Sequence, residues 1–207
     1  MGSEMCIRDR FESSNLSQEP LVKVNKWLQE AVKLEVPLLH AMNLSTVDDL
    51  GQPSSRMVLL KSISDKGIIF YTDYESHKGK MLNINSKAAL NFWWAKTDKQ
   101  IRIQGVCVKT SKEESEEYFQ SRPRGSQISA TVSFQSKEIK SYSDLVKEAE
   151  DLDKRASERG LERPDRWGGY LLVPNRIEFW KNESNRLHKR ELFTLESIKW
   201  KKTLLSP

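Results

Sequence analysis

The sequence predicts a mainly β fold of the α+β class, an antiparallel sheet or barrel with flanking helices. Short segments rich in β-branched and apolar residues follow one another in the first half of the chain, as is typical of strands. Turn-forming residues at 48–51 and 65–67 separate the first three of these segments. Successive strands joined by tight turns indicate an antiparallel sheet or barrel. These strands are predicted at 42–47, 55–63, 67–72, 88–94 and 101–110.

Helical periodicity is confined to a few segments. Residues 21–33 carry apolar side chains at helical spacing, which predicts an amphipathic first helix. Ser111 and Glu114 form a capping box that opens a second helix, running through residue 120. Further along, a charged helix is predicted at 143–159, and strands return at 169–173, 176–181 and 190–195.

Length and composition predict one domain. The chain has 207 residues and no linker rich in Ser, Gly or Pro. Residues 16–207 are assigned to this domain, whereas residues 1–15 are interpreted as a cloning scar or a disordered N-terminus. Cys6 and Cys107 are too few for a disulfide framework or a zinc cluster, and no metal site is predicted. Because no apolar run approaches about 20 residues and no signal peptide is evident, we expect a cytoplasmic protein without a membrane partner.

The chain is basic, with a formal net charge of +5 and a pI near 9.1. Such a balance admits a nucleic-acid-binding module as one hypothesis. There is, however, no zinc-finger spacing and no basic helix with heptads. A phosphorylated small molecule explains the cations better, so we expect no nucleic-acid partner.

A charged segment near the end of the chain runs from Arg186 to Arg190, after an apolar and aromatic run. If this segment is extended, Arg186, His188 and Arg190 project from one face, because alternate residues of a strand share a face. Two guanidinium groups and an imidazole would suit an anionic, planar ligand. The alternative is a solvated strand edge, where charges discourage aggregation. The segment alone favours neither.

Several longer motifs decide between these alternatives. They are RMVLLK at 56–61, YFQSRPRGSQI at 118–128, SFQS at 133–136 and WGGY at 167–170, followed by Trp200 and the terminal LSP. In the order and spacing of these motifs, the chain from about residue 37 to residue 207 resembles the pyridoxine (pyridoxamine) 5'-phosphate oxidases. That is more specific than any single short motif. The resemblance implies a Greek-key split β-barrel that forms a homodimer with FMN at its interface.

The same resemblance implies the chemistry. Pyridoxine 5'-phosphate and pyridoxamine 5'-phosphate would be oxidised to pyridoxal 5'-phosphate, with O2 as acceptor and H2O2 as product, and with ammonia released from the amine. Hydride would pass from C4' of the substrate to N5 of FMN, while the protein orients the two rings. The alternative is a related split-barrel protein, either a flavin-binding reductase or a carrier of flavin or pyridoxal phosphate, without this oxidase activity.

The resemblance also implies which side chains form the site. Arg186 and His188 would be catalytic and would face the substrate ring. The substrate, and above all its phosphate, would be bound by Lys61, Tyr118, Arg122, Ser126, Arg186 and His188. FMN would be bound by Arg56, Met57, Val58, Leu59, Leu60, Lys61, Tyr71, Thr72, His77, Lys78, Gln100, Gln135, Ser136, Trp180 and Arg190.

His77 departs from the family pattern, in which an arginine is usual before the lysine. A neutral imidazole gives one hydrogen bond where a guanidinium gives a fork of charged donors, so weaker FMN binding is expected. Without the resemblance, residues 76–79 would be interpreted as the solvated start of a helix, and Arg122 as a cation at a helix terminus.

The tryptophans are interpreted separately. Trp93 and Trp94 point to opposite faces of a predicted strand, so one is expected in the core and the other at the surface or an interface. Trp167 is interpreted as a packing residue with no role in the site. Trp180 differs because the resemblance implies a position beside the flavin.

Overall fold

The structure is a computed structural model that describes residues 12–13, 16–156 and 160–207. Its strands are β1 (Glu12–Ser13), β2 (Ala41–Val47), β3 (Pro53–Leu59), β4 (Ser62–Ser64), β5 (Gly67–Asp73), β6 (Lys87–Trp94), β7 (Lys99–Lys109), β8 (Trp167–Lys181), β9 (Lys189–Glu196) and β10 (Lys199–Leu205). Its helices are α1 (Glu19–Lys33), α2 (His77–Ile84), α3 (Lys112–Ser121), α4 (Arg124–Val132) and α5 (Tyr142–Arg155). Short 3-10 turns occupy Ala95–Thr97 and Ser184–Arg186.

The described strands form one ten-stranded sheet, which confirms the predicted mainly β architecture with flanking helices. The strand order is β1-β4-β5-β8-β7-β6-β2-β3, with β9 beside β8 and β10 beside β9. In the described ranges, every pairing is antiparallel except the short one between β1 and β4. None of the described helices has both the length and the apolar character needed to cross a bilayer.

Of the predicted N-terminal tail, residues 1–15, only Glu12 and Ser13 lie within the described residues. Their backbone pairs with Ser62 and Ile63 of β4. Cys6 and the rest of this tail lie outside the described residues, so a cloning scar or a disordered segment there stays a prediction.

The sheet divides along strand β8. Residues 167–172 of β8 pair with β5, and residues 176–181 pair with β9 on the same edge, because β7 occupies the other edge. Pro174 lies between the two halves and has no N–H to donate, and the register of β7 shifts opposite it at Gly105. The prediction of separate strands at 169–173 and 176–181 was therefore wrong, because one continuous strand, β8, pairs with β5 through its first half and with β9 through its second half.

The predicted strand at 55–63 is divided as well, into β3 and β4. The Leu60 N–H bonds the His40 carbonyl at 2.8 Å, whereas the Lys61 N–H bonds the Ile69 carbonyl in β5 at 2.9 Å. The chain thus changes partner between Leu60 and Lys61. A change of partner requires a bend that hydropathy does not reveal.

Three elements differ from prediction in other ways. The charged helix predicted at 143–159 is observed as α5, and residues 157–159 lie outside the described ranges. Helix α4 was not predicted, because its polar first turn follows directly on Pro123. Strand β10 was not predicted either, because its lysine-rich sequence lacks a clear strand pattern.

The main core lies between α1 and the inner face of the sheet. Helix α1 buries Leu21, Val24, Leu28 and Ala31 there. Trp94 joins this core and is 2% exposed, whereas Trp93 on the outer face is 51% exposed, which confirms their predicted opposite orientations. A second, smaller core joins α3 and α4 to the start of β8, through Phe119, Ile128, Leu161 and Trp167.

Candidate active site

A cavity of about 400 Å³ opens between β3, β5, α3 and α4, a volume that suits a small-molecule ligand. Many of the predicted site residues line it: Met57, Val58, Leu59, Lys61, Tyr71, Thr72, Lys78, Tyr118, Arg122, Ser126 and Gln135. The lining also includes Trp167, to which the sequence assigned no role. Folding of one protomer therefore brings together residues that lie up to about half the chain apart.

Lys78 supplies a buried cation to this lining. Its ammonium donates to Thr72 Oγ1 at 3.1 Å and to Gln135 Oε1 at 2.5 Å. A third hydrogen bond, of 3.3 Å, goes to Ser76 Oγ. The Ser76 hydroxyl also accepts the Gly79 N–H at 3.3 Å, so the residue that caps α2 also orients Lys78.

Arg56 lies close behind Lys78, on the inner face of β3. Its guanidinium donates to Thr46 Oγ1 at 2.7 Å and to Ser54 Oγ at 2.8 Å. The pKa of Lys78 is lowered to about 8, mainly by burial and in addition by the charge of Arg56, while the charge of Asp73 opposes the shift. Burial also lowers the pKa of Arg56. An anion bound here would offset the desolvation of both cations.

Three aromatic rings form a second part of the lining. Tyr71 and Tyr118 stack with ring centroids 3.9 Å apart, and Trp167 lies nearly parallel to both, at 5.4 and 6.1 Å. The Arg122 guanidinium lies 4.4 Å from the centre of the Trp167 ring. The Lys61 ammonium lies 5.8 Å from the centre of the Tyr118 ring. Two further cations, Lys61 and Arg122, therefore lie against this group of three rings.

The chain turns at Pro123, between α3 and α4. Arg122 has an extended backbone, with φ −73° and ψ 149°, so it follows the helix that carries Tyr118 rather than belonging to it. Ser126 lies in the first turn of α4, and its N–H bonds the Pro123 carbonyl at 2.8 Å. This turn brings Ser126 to the same cavity as Tyr118 and Arg122.

A buried ion pair links two of the elements that line the cavity, β5 and α4. Asp73, at the end of β5, accepts a 2.9 Å hydrogen bond from Arg166. Arg166 also donates to the carbonyls of Ala130 and Thr131, at 2.9 and 2.6 Å, and its guanidinium covers the ring of Phe134. One arginine therefore ties the end of α4, and with it the segment that leads to Gln135, to the sheet.

The remaining predicted residues do not line the cavity. Gln100, Trp180 and Arg190 lie in one row across the outer face of β7, β8 and β9, and Trp93 continues this row on β6. The His188 ring lies 4.6 Å from that of Trp180, and the Trp93 ring lies 6.0 Å from it on centroids. We call this row, with His188, the outer-face cluster.

Glu178 fixes the arginine of the outer-face cluster. It is almost buried, and its two oxygens accept from Arg190 Nε at 2.8 Å and from Arg102 Nη1 at 3.1 Å. The hydrogen bond to Glu178 raises the pKa of Arg190. Arg190 also donates to the Ser206 carbonyl at 2.9 Å, which ties the end of the chain to the cluster.

The segment 186–190 is not extended throughout, so the hypothesis of one strand face with three ionisable groups was wrong. Asn185 and Arg186 have φ values of +56° and +60° in a 3-10 turn, and β9 begins only at Lys189. Arg186 is exposed in this turn. His188 Nδ1 accepts the Glu183 N–H at 3.4 Å. A non-glycine backbone in the left-handed region is uncommon, which marks this turn as unusual.

Four predicted FMN residues lie outside the cavity lining for other reasons. His77 is exposed in the first turn of α2, and Ser136 is exposed with a left-handed backbone. Leu60 is buried in the main core, and Arg56 reaches the site only from behind Lys78.

Two family profiles match this chain. The profile described as "Pyridoxamine 5'-phosphate oxidase" matches residues 28–156, which include the cavity residues up to Gln135. The profile described as "Pyridoxine 5'-phosphate oxidase C-terminal dimerisation region" matches residues 167–207, which include β8, β9 and β10.

Curated relatives match over nearly the whole chain. The Hydrogenovibrio crunogenus protein named pyridoxine/pyridoxamine 5'-phosphate oxidase 2 is 43% identical over 201 residues, covering 97% of this chain and 94% of the relative. The Burkholderia mallei protein named pyridoxine/pyridoxamine 5'-phosphate oxidase is 41% identical over 203 residues, with the same coverage of 97% and 94%.

Solved structures share the fold. PhzG from Burkholderia lata, in complex with tetrahydrophenazine-1-carboxylic acid, is 33% identical with a TM-score of 0.88, covering 92% of this chain and 94% of PhzG. A pyridoxamine 5'-phosphate oxidase-related, FMN-binding protein from Nostoc punctiforme is 14% identical with a TM-score of 0.75, covering 93% and 100%. At this identity the likeness concerns the fold alone, and it confirms the predicted split barrel.

Proposed function

This chain belongs to the pyridoxine/pyridoxamine 5'-phosphate oxidase family, and we propose that it oxidises pyridoxine 5'-phosphate and pyridoxamine 5'-phosphate to pyridoxal 5'-phosphate. The family supports an oxidoreductase with a flavin cofactor, and the matched dimerisation region supports a homodimer. The alcohol and O2 would give pyridoxal 5'-phosphate and H2O2, whereas the amine would also take up water and release ammonia. One observation carries the proposal: the lining of a single cavity includes Lys61 and Arg122 in one part and the buried Lys78 in another, which would serve two phosphates.

The first group would bind the phosphate of the substrate. Lys61 and Arg122 provide charged donors, and Tyr118 and Ser126 provide hydroxyls that can donate to the remaining phosphate oxygens. All four line the cavity. A guanidinium matches a phosphate with two parallel hydrogen bonds, so Arg122 would fix the orientation of the substrate as well as its charge.

The second group would bind the phosphate of FMN. The residues present fit a phosphate. Lys78 is buried among Thr72, Ser76 and Gln135, whose side chains can donate hydrogen bonds, and the charge of a second cation, Arg56, acts on Lys78. Residues 57–59 of β3 would offer a flat, apolar edge to the flavin ring. When bound, the flavin would accept a hydride from the substrate and pass two electrons to O2.

The outer-face cluster would complete the site from the second protomer. Gln100, Trp180 and Arg190 lie outside the cavity of their own protomer, yet the family resemblance assigns all three to FMN. Trp180 and Arg190 fall within the matched dimerisation region. A homodimer would reconcile the position of these residues with their assignment to FMN, if the cavity of each protomer meets the outer-face cluster of the other.

Arg186 and His188 would act on the substrate ring. Arg186 would position the ring and stabilise negative charge that develops on it. Because His188 Nδ1 accepts the Glu183 N–H, a neutral His188 carries its proton on Nε2 and can donate a hydrogen bond to a ring substituent. The exposed turn at 184–186 leaves Arg186 accessible to a second protomer.

An anaerobic half-reaction tests the function. We expect the FMN-loaded protein to lose its visible flavin band when pyridoxine 5'-phosphate is added, and to regain the band when air is admitted. Bound flavin that stays oxidised would contradict the oxidase activity. A protein that binds no flavin would contradict the cofactor assignment.

Arg186→Ala tests the catalytic assignment. We expect it to lower turnover by about 100-fold or more while FMN stays bound, because it removes an interaction at the reacting ring. Lys189→Ala is the matched control, since Lys189 is a neighbouring cation that is 72% exposed and belongs to neither predicted set. An Arg186→Ala variant with the turnover of the control would remove Arg186 from the chemistry.

A second candidate function is oxidation of a carboxylated ring compound without a phosphate. It is favoured by the 33% identity to PhzG, whose structure contains tetrahydrophenazine-1-carboxylic acid. Flavin bleaching by such a compound, with none by pyridoxine 5'-phosphate, would select this candidate.

A further inference from the structure

Trp167 lines the cavity and contacts other residues of the lining. Its ring contacts Tyr71 and Tyr118 in near-parallel orientations, with interplanar angles of 14° and 8°. The Arg122 guanidinium covers the same indole at 4.4 Å. Trp167 thus touches two of the four residues proposed to bind the substrate phosphate.

The indole itself is held firmly. Trp167 is 7% exposed, and the ring of Phe119 packs edge-on against it with centroids 5.5 Å apart. The backbone N–H of Trp167 bonds the Pro164 carbonyl at 2.8 Å, and the backbone carbonyl of Trp167 accepts a hydrogen bond from Arg163. The position of the indole is therefore set by the start of β8 and by α3, independently of any ligand.

A fixed indole restricts a flexible arginine. A free arginine side chain has many rotamers, and ordering it at the moment of binding weakens the binding of an anion. A guanidinium that stacks on an aromatic face keeps its N–H groups in the plane of the group, where they can meet a phosphate in a forked arrangement. Stacking on Trp167 would therefore orient Arg122 before the phosphate arrives.

We propose that Trp167 is a positioning residue for phosphate recognition, which sets the affinity for the anionic end of the substrate by holding Arg122 and Tyr118. This inference rests on the proposed substrate phosphate group of Lys61, Tyr118, Arg122 and Ser126. It assigns Trp167 no chemical step. Substitution should change substrate affinity and leave the rate of the bound complex almost unchanged.

The test compares Trp167→Leu with Trp167→Phe in the flavin-loaded protein. We expect Trp167→Leu to raise the KM for pyridoxine 5'-phosphate, and the inhibition constant of inorganic phosphate, about tenfold, with kcat changed less than about twofold. Trp167→Phe keeps an aromatic face and should restore most of the affinity. Trp27→Leu is the control, because Trp27 also carries a lysine on its ring, at 4.8 Å, but lies in the α1 core.

A double substitution separates positioning from general damage. In an Arg122→Leu background, Trp167→Leu should raise the same two constants only about twofold, since Tyr118 is then the one residue left for it to position. An equal tenfold loss in that background would overturn the inference, and so would a fall in kcat with unchanged KM. Loss of flavin binding in Trp167→Leu, with flavin retained in Trp27→Leu, would also overturn it.

Direct binding distinguishes this inference from the proposed function. Pyridoxal 5'-phosphate and pyridoxal are titrated into the flavin-loaded wild type and Trp167→Leu. A wild type that binds the phosphate but oxidises no substrate would contradict the proposed function, while a tenfold weaker binding by Trp167→Leu would still support the inference. A wild type that does not prefer the phosphorylated ligand would overturn the inference.

Discussion

The cavity and the outer-face cluster carry similar side chains, but the protein supports them differently. On the cavity side, Lys78 in the lining and Arg166 next to the lining residue Asp73 are nearly buried and are held by partners from separate elements. On the outer face, Trp180 and Arg190 lie on adjacent strands and remain partly exposed. Folding of one protomer therefore forms the cavity, whereas in the proposed function the cluster completes the site of a second protomer. In that proposal, one half of a site is formed by folding and the other half by association.

The largest expected effect is a loss of stability on the cavity side. Arg166→Leu leaves Asp73, whose side chain is 5% exposed, without its cation, and breaking a buried pair in this way costs about 3–5 kcal/mol. Urea denaturation measures the loss. Arg124→Leu is the matched control, because its partner Asp153 is 53% exposed and such pairs contribute less than about 1 kcal/mol. Equal losses in both variants would contradict a special contribution of the buried Asp73–Arg166 pair to stability.

A smaller effect is expected on the outer face. Glu178→Gln keeps the shape of the side chain but weakens the hydrogen bonds to Arg102 and Arg190, which are 49% and 24% exposed. We expect the dissociation constant of FMN to rise about tenfold, with a loss of about 1 kcal/mol in the free energy of unfolding. Flavin fluorescence measures the first quantity. Glu183→Gln, which changes a partly exposed carboxylate between two lysines, is the control and should leave both unchanged.

Lys78 gives the cavity a pH dependence of its own. Its pKa is about 8 in the folded protein and 10.5 ordinarily, so between these values the unfolded chain binds more protons. The free energy of unfolding of the flavin-free protein should therefore rise with pH across this window, while affinity for the FMN phosphate falls as the ammonium loses its charge.

Urea denaturation and flavin titration at about pH 7 and about pH 10 measure the two opposite trends. Lys78→Met is the control, because it has no proton to lose, and both trends should shrink in it. A flavin affinity that is independent of pH in the wild type would show that Lys78 does not bind the phosphate as a cation.

The smallest effect is expected from His77→Arg. His77 is exposed in the first turn of α2 and does not line the cavity. The arginine usual in the family should thus improve FMN affinity by no more than about threefold, the range of an exposed charge. Lys80→Arg, on the same exposed helix, is the control for a change of cation type. A gain above about tenfold would place position 77 against the FMN phosphate and move it into the cavity group.

The predicted parts of the fold were those whose signal is local. The strand at 67–72, the first helix and the capping box at Ser111 are correct to within two residues, because hydropathy and capping act over a few positions. The divided pairing of β8 was missed, because it depends on which strands meet along one edge. That choice is made between residues far apart in the chain.

The candidate site divides in the same way. The predicted substrate-phosphate residues Lys61, Tyr118, Arg122 and Ser126 all line the cavity, whereas of the FMN-phosphate candidates Arg56, His77, Lys78, Gln135 and Ser136 only Lys78 and Gln135 line it. The left-handed turn at Arg186 was missed, because alternation assumes an extended chain. Trp167 was missed because only folding brings it against Arg122, although the adjacent Gly168 and Gly169 indicate close packing after it.

Strand β8 has a consequence for the way two copies of this chain depend on each other. Trp167 of the cavity and Trp180 of the outer-face cluster lie at opposite ends of one strand, roughly 40 Å apart along it at about 3.3 Å per residue. If the cavity and the outer-face cluster bind the same ligand, as proposed, they come from different chains, and each complete site would then contain parts of two chains. Two inactive variants, one damaged at each end of β8, would complement each other in a mixed dimer, with one site doubly damaged and the other wholly intact.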